Sequence, residues 1–222
     1  MQRRRAARQS YELTAALQDR ITRLARDGRL GTLAPVLTFQ SIVDFTVSAP
    51  AIVSALYGNL PDNGSELVLF DINRNADLGP LLSSAAETAV ERILPPGPRR
   101  YRTTVITNQA PGSDAVEARI VEAGQTQPKA EPIGLVYPPD IYSLSHVALP
   151  FPVNDGLYGT HPDPADDFGI HLGDIASRGE RGTLIVGLDT LMRMSSNPFF
   201  PYVGERIESL LPSAPTAQAP SP

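Results

Sequence analysis

The chain has 222 residues, of which 41% are hydrophobic and 19% charged, so its length and composition predict a globular protein with a buried core rather than a disordered chain. Its net charge of −5 argues against a dedicated nucleic-acid binder, and the lack of cysteine excludes disulfides, thiolate metal sites and a cysteine nucleophile. No apolar run approaches the roughly 20 residues that a membrane-spanning helix needs, and no apolar segment follows the basic start as in a signal peptide. We therefore expect a soluble chain with no membrane span, cytoplasmic by default.

The first predicted element is a helix from about Ser10 to Arg26. Its apolar residues recur at helical spacing, which puts them on one face of the helix: Leu13, Leu17, Ile21 and Leu24. A cluster of arginines precedes this helix, and we interpret it as a solvated or frayed basic arm rather than a nucleic-acid or membrane-binding segment: Arg3, Arg4, Arg5 and Arg8.

Two short apolar runs predict strands that are buried on both faces, as in a parallel sheet. The first is Val36–Gln40 and the second is Glu66–Asp71. Between them a helix is expected to begin near Ser48, with Pro50 in its first turn, where the missing N–H costs little. The order strand, helix, strand predicts a right-handed βαβ unit.

The rest of the chain has a less regular pattern and predicts shorter elements. In chain order we first expect a helix over Leu78–Leu94, a strand over Tyr101–Asn108, a short helix over Asp114–Ala123 and a polar loop over Gly124–Pro132. A strand over Ile141–Leu144 and an irregular segment over Pro150–Asp174 are expected next. The last expected elements are a strand over Thr183–Leu188, a helical turn over Thr190–Ser195 and a helix over Tyr202–Leu211. The low-complexity end, Pro212–Pro222, is predicted to be a disordered tail.

Asp44 and His146 are the candidate catalytic residues. Each follows a predicted strand, and functional groups in open α/β sheets lie at the carboxyl ends of strands. Taken singly, Asp44 also fits a turn or helix-entry aspartate, and His146 fits a structural histidine. As a pair they form the acid–base half of a triad, in which the carboxylate holds the imidazole in one tautomer and stabilises its charged form.

The third member of such a triad is absent from these 222 residues. A nucleophile elbow reads Gly-x-Ser-x-Gly, because its sharp strand-to-helix turn tolerates only small neighbours. No serine of this chain has a glycine two positions before it. With no cysteine either, the chain supplies no nucleophile of the expected kind.

A histidine- and aspartate-rich loop offers a possible metal site, with five candidate ligands: His161, Asp163, Asp166, Asp167 and His171. No two of these residues share a helix face at a recognised ligand spacing, and the prolines between them indicate an exposed loop. The glycines from Gly169 to Gly182 form no pattern that would cradle a phosphate. We therefore predict no metal and no cofactor.

Several of these segments resemble those of one enzyme family. Residues 35–47 and 64–71 resemble the acid-bearing strand and loop, and the next strand, of bacterial α/β-hydrolases of the serine aminopeptidase and lysophospholipase-like group. Residues 143–152 resemble the catalytic-histidine segment of one proteobacterial branch, and residues 171–173, 178–182 and 197–200 resemble its closing segments. The resemblance extends from about Ser10 to Leu211 but covers only the later half of such an enzyme.

The resemblance implies an α/β fold, namely the carboxyl-terminal part of an α/β-hydrolase with a mostly parallel sheet, flanking helices and an incomplete amino-terminal half. The implied domain covers residues 1–211, with an insertion at about 95–140 and the tail at 212–222. Asp44 would be the triad acid and His146 the base of an esterase, lipase or lysophospholipase-like acyl hydrolase. The family's earlier strands, oxyanion loop and serine are expected upstream of residue 1, so we expect this chain to be inactive alone.

Two partners and two rival functions follow from this interpretation. The partner is either a separate amino-terminal half that carries the nucleophile or a second copy that pairs with the exposed edge of the strand Val36–Gln40. The main rival is a non-catalytic binding or scaffold module that keeps half of the hydrolase fold. The other is a metal-dependent hydrolase that uses the loop from His161 to His171. The acyl substrate and any export signal are expected to depend on residues outside this chain.

Overall fold

A computed structural model of the chain describes residues 2–44, 47–75, 89–137, 152, 154–155, 176–177, 192–193 and 197–211. Of residues 2–7, 10, 176–177 and 192–193 it describes the backbone only. The predicted strands at 141–144 and 183–188, nearly all of the predicted irregular segment at 150–174, and the predicted disordered tail at 212–222 lie outside the described residues.

The described elements alternate between helices and strands and then form a run of three strands. They are α1 (Gln2–Arg26), β1 (Leu37–Ser41), α2 (Ala49–Ala51, continued by a π-helical turn over Ile52–Leu56 and a 3₁₀ turn over Tyr57–Asn59), β2 (Glu66–Phe70), α3 (Ala89–Ile93), β3 (Arg102–Asn108), β4 (Ala115–Val121), β5 (Lys129–Val136), β6 (Ala176–Ser177), β7 (Met192–Arg193) and α4 (Phe200–Glu208). No helix in this part of the chain has the length and apolarity needed to cross a bilayer.

Five of the strands form one mixed sheet in the order β1-β2-β3-β4-β5. The first three are parallel, with Leu37 opposite Glu66 and Glu66 opposite Arg102, whereas β4 and β5 add to them antiparallel. The expected α/β arrangement is therefore confirmed as a mixed sheet with flanking helices. The parallel character is limited to the first three strands, because β3, β4 and β5 follow one another through short connections that only antiparallel neighbours permit.

Apolar residues pack on both faces of β2, as the continuous apolar run of that strand predicts. On one face Leu67 and Leu69 pack with α2 and α3 in a cluster that also contains Val53, Tyr57, Leu60, Ala89, Ile93 and Val105. On the other face Phe70 stacks on Phe199, with ring centroids 5.5 Å apart, and Tyr137 meets Phe199 edge-on at 5.0 Å. These two cores hold the carboxyl ends of the parallel strands in fixed relative positions.

The amino-terminal helix is longer than predicted. It begins at Gln2 rather than Ser10, so the arginines predicted to form a solvated or frayed arm lie on helical backbone. Arg8 is exposed, and its Nε donates to Glu12 Oε1 at 2.7 Å, one helical turn away. Such a pair supports a helix locally, which the prediction of a separate basic arm did not take into account.

The short helix predicted over Asp114–Ala123 is wrong, because these residues form strand β4. Val116, Ala118 and Ile120 are buried and alternate with more exposed Glu117 and Arg119. Alanine, glutamate and arginine favour helices, yet the period of two in burial wins because β3 offers a partner with a matching apolar face.

Two further predictions are wrong in part. The polar loop predicted over Gly124–Pro132 ends early, since β5 begins at Lys129; its residues are half-buried or exposed, as on an edge strand. The helical turn predicted over Thr190–Ser195 contains β7, whose Met192 and Arg193 pair with Ser177 and Ala176 of β6.

Other predicted elements agree with the structure. Strands β1, β2 and β3, helix α4 and the start of α2 after Ser48 lie within a few residues of their predicted positions. Helix α3 forms the end of the predicted helix 78–94, and residues 76–88 lie outside the described part. The segment predicted as an insertion, about 95–140, supplies three of the five strands of the main sheet. The domain limits 1–211 stay a prediction.

Candidate functional site

Asp44 lies three residues beyond the carboxyl end of β1, as predicted, and its side chain is half-buried. Its backbone N–H donates to the Ser41 carbonyl at 3.3 Å, and its Oδ1 accepts from the Val47 N–H at 3.1 Å. Asp44 therefore serves the turn that leads into α2. This is the structural role weighed above, and it fixes the orientation of the carboxylate.

The buried side chain of Gln40 stabilises this turn through two hydrogen bonds. Its Nε2 donates to the carbonyl of Ser41 at 3.2 Å and to the carbonyl of Val47 at 3.0 Å, so one amide links the two ends of the loop that carries Asp44. The sequence analysis assigned Gln40 only to the strand. A glutamine ending an otherwise apolar strand was the available signal, because a buried amide needs partners.

At the far end of the loop, Ser48 caps helix α2. The Ser48 Oγ accepts from the Ala51 N–H at 3.4 Å, and Pro50 occupies the first turn of the helix, as expected. The candidate acid therefore lies between a strand end and a helix start that are both anchored.

Asp71 is a second carboxylate at the same edge of the sheet, and the sequence analysis did not single it out. It is 5% exposed and directly follows β2. Its Oδ1 accepts from Ile72 N and from Arg74 Nη2, both at 2.8 Å, and its Oδ2 accepts from Arg74 Nε and from Thr107 Oγ1, both at 2.9 Å. With donors on both oxygens, Asp71 joins the ends of β2 and β3 and has a structural role.

Amide side chains extend this connection between the strand ends. Asn108 Nδ2 donates to Asn73 Oδ1 at 3.1 Å and to the Ser113 carbonyl at 2.9 Å, while its Oδ1 accepts from the Arg74 N–H at 2.7 Å. The Tyr137 hydroxyl donates to the Asp71 carbonyl at 2.5 Å. The signal for this network was the polar residues directly after two apolar strands.

The surroundings of two groups at this edge, Tyr137 and Arg74, raise their pKa values. Burial raises the pKa of Tyr137 well above its usual value, so its hydroxyl stays a donor. Burial by itself would lower the pKa of Arg74, but hydrogen bonds and attraction from Asp71 outweigh it and the pKa is raised. Arg74 therefore keeps its charge beside Asp71.

A pocket of about 490 Å³ lies between α3 and the same face of β3 and β4. Its lining includes Arg99 and Arg119, the threonines at 103 and 107, and the Asp71–Arg74 pair, with apolar walls from Val90, Leu94, Val105 and Val121. We call it the Arg99 pocket. The sequence analysis missed it because its residues come from elements that were predicted as a helix and as an insertion.

His146 lies outside the described residues, so its position relative to Asp44 stays a prediction. The five candidate ligands of the loop from His161 to His171 also lie outside them. Within the described ranges, no group of three or more histidine, aspartate or glutamate side chains is arranged to hold a metal ion.

Comparison with known proteins returned no match: no family model, no curated protein and no solved structure is similar to this chain. We therefore infer the function from the geometry above and from the residues themselves.

Proposed function

We propose that this chain is the carboxyl-terminal portion of a serine α/β-hydrolase that cleaves carboxylic esters or related acyl bonds. The observation that carries the proposal is the place of Asp44, on an anchored loop directly after β1 in the parallel part of the sheet. Functional groups of open α/β sheets collect at this edge. The resemblance of residues 143–152 to a catalytic-histidine segment supports His146 as its partner.

In this proposal the serine comes from another polypeptide segment. Its hydroxyl attacks the acyl carbonyl while His146 accepts the hydroxyl proton, and His146 then returns that proton to the leaving group. Asp44 orients the imidazole and stabilises its protonated form. The hydrogen bond from Val47 to Asp44 Oδ1 holds the carboxylate in one orientation, as an orienting group requires.

The outer edge of β1 supports a partner that supplies the missing strands. The carbonyl of Val36 accepts from Glu66 N at 2.9 Å, and Ile42 N donates to the Phe70 carbonyl at 3.0 Å. In a parallel ladder these bonds assign the even-numbered residues of β1 to β2. Leu37 and Phe39 thus direct their N–H and C=O groups away from β2, and no described residue pairs with them. A strand from the serine-bearing segment would fit this edge.

The first test is coexpression of this chain with the polypeptide encoded directly upstream, followed by hydrolysis of a p-nitrophenyl ester. We expect the complex to be active and this chain alone to be inactive. Within the complex, Asp44→Asn and His146→Ala should each lower kcat by about 10⁴-fold, the scale seen when a triad member is removed. Asp62→Asn, in an exposed turn, is the matched control and should leave kcat unchanged.

Activity that survives His146→Ala would remove His146 from the mechanism. Activity that survives Asp44→Asn would show that Asp44 only stabilises the turn that leads into α2. An upstream polypeptide without Gly-x-Ser-x-Gly, or a complex with no esterase activity, would contradict the hydrolase proposal. Stable binding without turnover would instead favour the rival, a non-catalytic binding module. That rival is favoured by the lack of an elbow serine in these 222 residues.

A further inference from the structure

The Arg99 pocket contains an arginine whose charge is not neutralised by a neighbouring carboxylate. Arg99 is half-buried; its Nε donates to Thr103 Oγ1 at 3.0 Å and its Nη1 donates to the Pro95 carbonyl at 3.1 Å. Both acceptors are neutral, and among the described residues Arg99 forms no ion pair. Nη2, with its two N–H groups, makes no hydrogen bond in the described part of the chain.

Arg119 adds donors on the same face of the sheet. It lies opposite Val105, and Thr103 lies opposite Val121, so Arg119 is the diagonal neighbour of the threonine that holds Arg99. Such neighbours are within reach of each other when a side chain is long. Glu117 contacts Arg119 at Nε, at 2.7 Å. Both terminal nitrogens of Arg119 are without a hydrogen bond to any described residue.

The other charges of the pocket limit the ligand to a single negative charge. Arg74 is already paired with Asp71 and is also attracted by Glu91, a lining carboxylate on α3. A second negative charge on a ligand would be repelled by this carboxylate in the pocket lining. The aliphatic walls favour a ligand with an apolar body.

We propose that the Arg99 pocket binds a small organic monocarboxylate with an aliphatic body. The carboxylate accepts from Arg99 and Arg119, and the hydrocarbon part lies against the walls formed by Val90, Leu94, Val105 and Val121. Guanidinium donors match a carboxylate in geometry and charge, and a partly dehydrated guanidinium without a counter-ion gains most from one. The site is separate from the Asp44 loop and does not depend on the hydrolase proposal.

The test is calorimetric titration of the full chain with sodium hexanoate. We expect saturable binding, with affinity reduced at least tenfold by Arg99→Gln and by Arg119→Gln, and reduced less by Arg99→Lys, which retains the charge but loses the paired donors of the guanidinium. Arg92→Gln is the matched control, because Arg92 is exposed on α3 and outside the pocket; it should bind as the natural chain does. Thermal melting followed by circular dichroism establishes whether each variant is folded. If Arg99→Gln does not fold, Arg119→Gln provides the test.

Two comparison ligands test the chemical class. Hexanol, which has the same body without charge, should bind at least tenfold more weakly than hexanoate, and hexyl phosphate, which carries more charge, should also bind more weakly. The proposal is overturned if hexanoate shows no saturable binding, if Arg92→Gln weakens binding as much as Arg99→Gln does, or if hexyl phosphate binds more tightly than hexanoate.

Discussion

At the residue scale, Tyr57 shows how this chain buries a polar group without leaving it unsatisfied. Its side chain is fully buried, yet its hydroxyl donates to the Glu66 carbonyl at 2.5 Å and lies 3.2 Å from the Val36 carbonyl. The ring stands 4.6 Å from that of Tyr101. One phenol thus links α2 to both β1 and β2, the two strands that precede the candidate site.

Burial of Tyr57 predicts loss of stability in alkali. Burial raises the pKa of Tyr57 to about 12, from 10.0, and the pKa of Tyr202 is also raised by burial to about 12. The folded chain therefore retains these protons after the unfolded chain has released them. The stabilisation is complete below pH about 10 and is lost as the pH rises toward about 12. Urea unfolding followed from pH 8 to 11.5 should show the free energy of unfolding falling above pH 10.

Substitution of the phenol separates its contribution from general alkaline damage. Tyr57→Phe should be less stable than the natural chain at pH 8, by about 1–3 kcal/mol, because the Glu66 carbonyl loses the hydroxyl donor in a buried setting. The difference should shrink above pH 10. The exposed Tyr11→Phe should follow the natural curve throughout. A constant difference between Tyr57→Phe and the natural chain at every pH would show that Tyr57 does not titrate as its burial implies.

The place of Asp44 after β1 could be predicted from sequence because it depends only on where an apolar strand ends, whereas its catalytic role stays a prediction. Prediction from sequence failed for Gln40 and Asp71, whose roles depend on partners far away in sequence or on the geometry of a loop. Asp71 is satisfied partly by Thr107, thirty-six positions away along the chain. Polar residues after an apolar strand indicate that a network forms there, but no local pattern identifies the distant partner.

At the scale of elements, helix α4 is fastened to β2 by a buried ion pair. Glu66 is 3% exposed, and its Oε2 accepts from Arg206 Nε at 2.8 Å and from Arg206 Nη2. Its Oε1 accepts from Thr104 Oγ1 at 2.8 Å and lies 3.6 Å from Arg102 Nε. This carboxylate therefore links two strands with a helix that is 140 positions away.

Removing Glu66 should detach α4 from the sheet. Glu66→Ala leaves Arg206 and the buried hydroxyl of Thr104 without their shared acceptor, and breaking a buried pair from one side costs about 3–5 kcal/mol. Glu66→Gln should cost less, because its amide oxygen can still accept. Glu131→Ala is the control, since its pair with Lys129 is exposed on β5 and should change stability little. Equal urea midpoints for Glu66→Ala and Glu131→Ala would contradict a fastening role.

Elements were predictable where one periodic signal dominated. Apolar runs on both faces identified β1 and β2, and helical spacing identified α1. Strand β4 was predicted as a helix because Ala115, Glu117, Ala118 and Arg119 favour helices, whereas its true state is decided by β3, whose open side pairs with it. Propensity gives way to tertiary pairing in such a segment.

At the scale of the whole molecule, the two edge strands of the described sheet differ in character. One side ends in β5, whose residues are largely exposed and which carries Lys129 and Pro132, features typical of a protected edge. The other side ends in β1, where Leu37 and Phe39 are half-buried in the core yet direct main-chain groups outward. The asymmetry supports our proposal that a partner strand pairs with β1 rather than with β5.

Amide hydrogen exchange can measure, residue by residue, which N–H groups of β1 are hydrogen-bonded. In the isolated chain at low concentration, Thr38 and Gln40 should exchange slowly, because their N–H groups point to β2, and Leu37 and Phe39 should exchange quickly. Raising the concentration, or adding the upstream polypeptide, should slow Leu37 and Phe39 as a strand pairs with them, with sedimentation velocity reporting the larger species. Slow exchange at all four amides in a species that sediments as a monomer would contradict an open edge. The amides of β5 are the control and should not change on association.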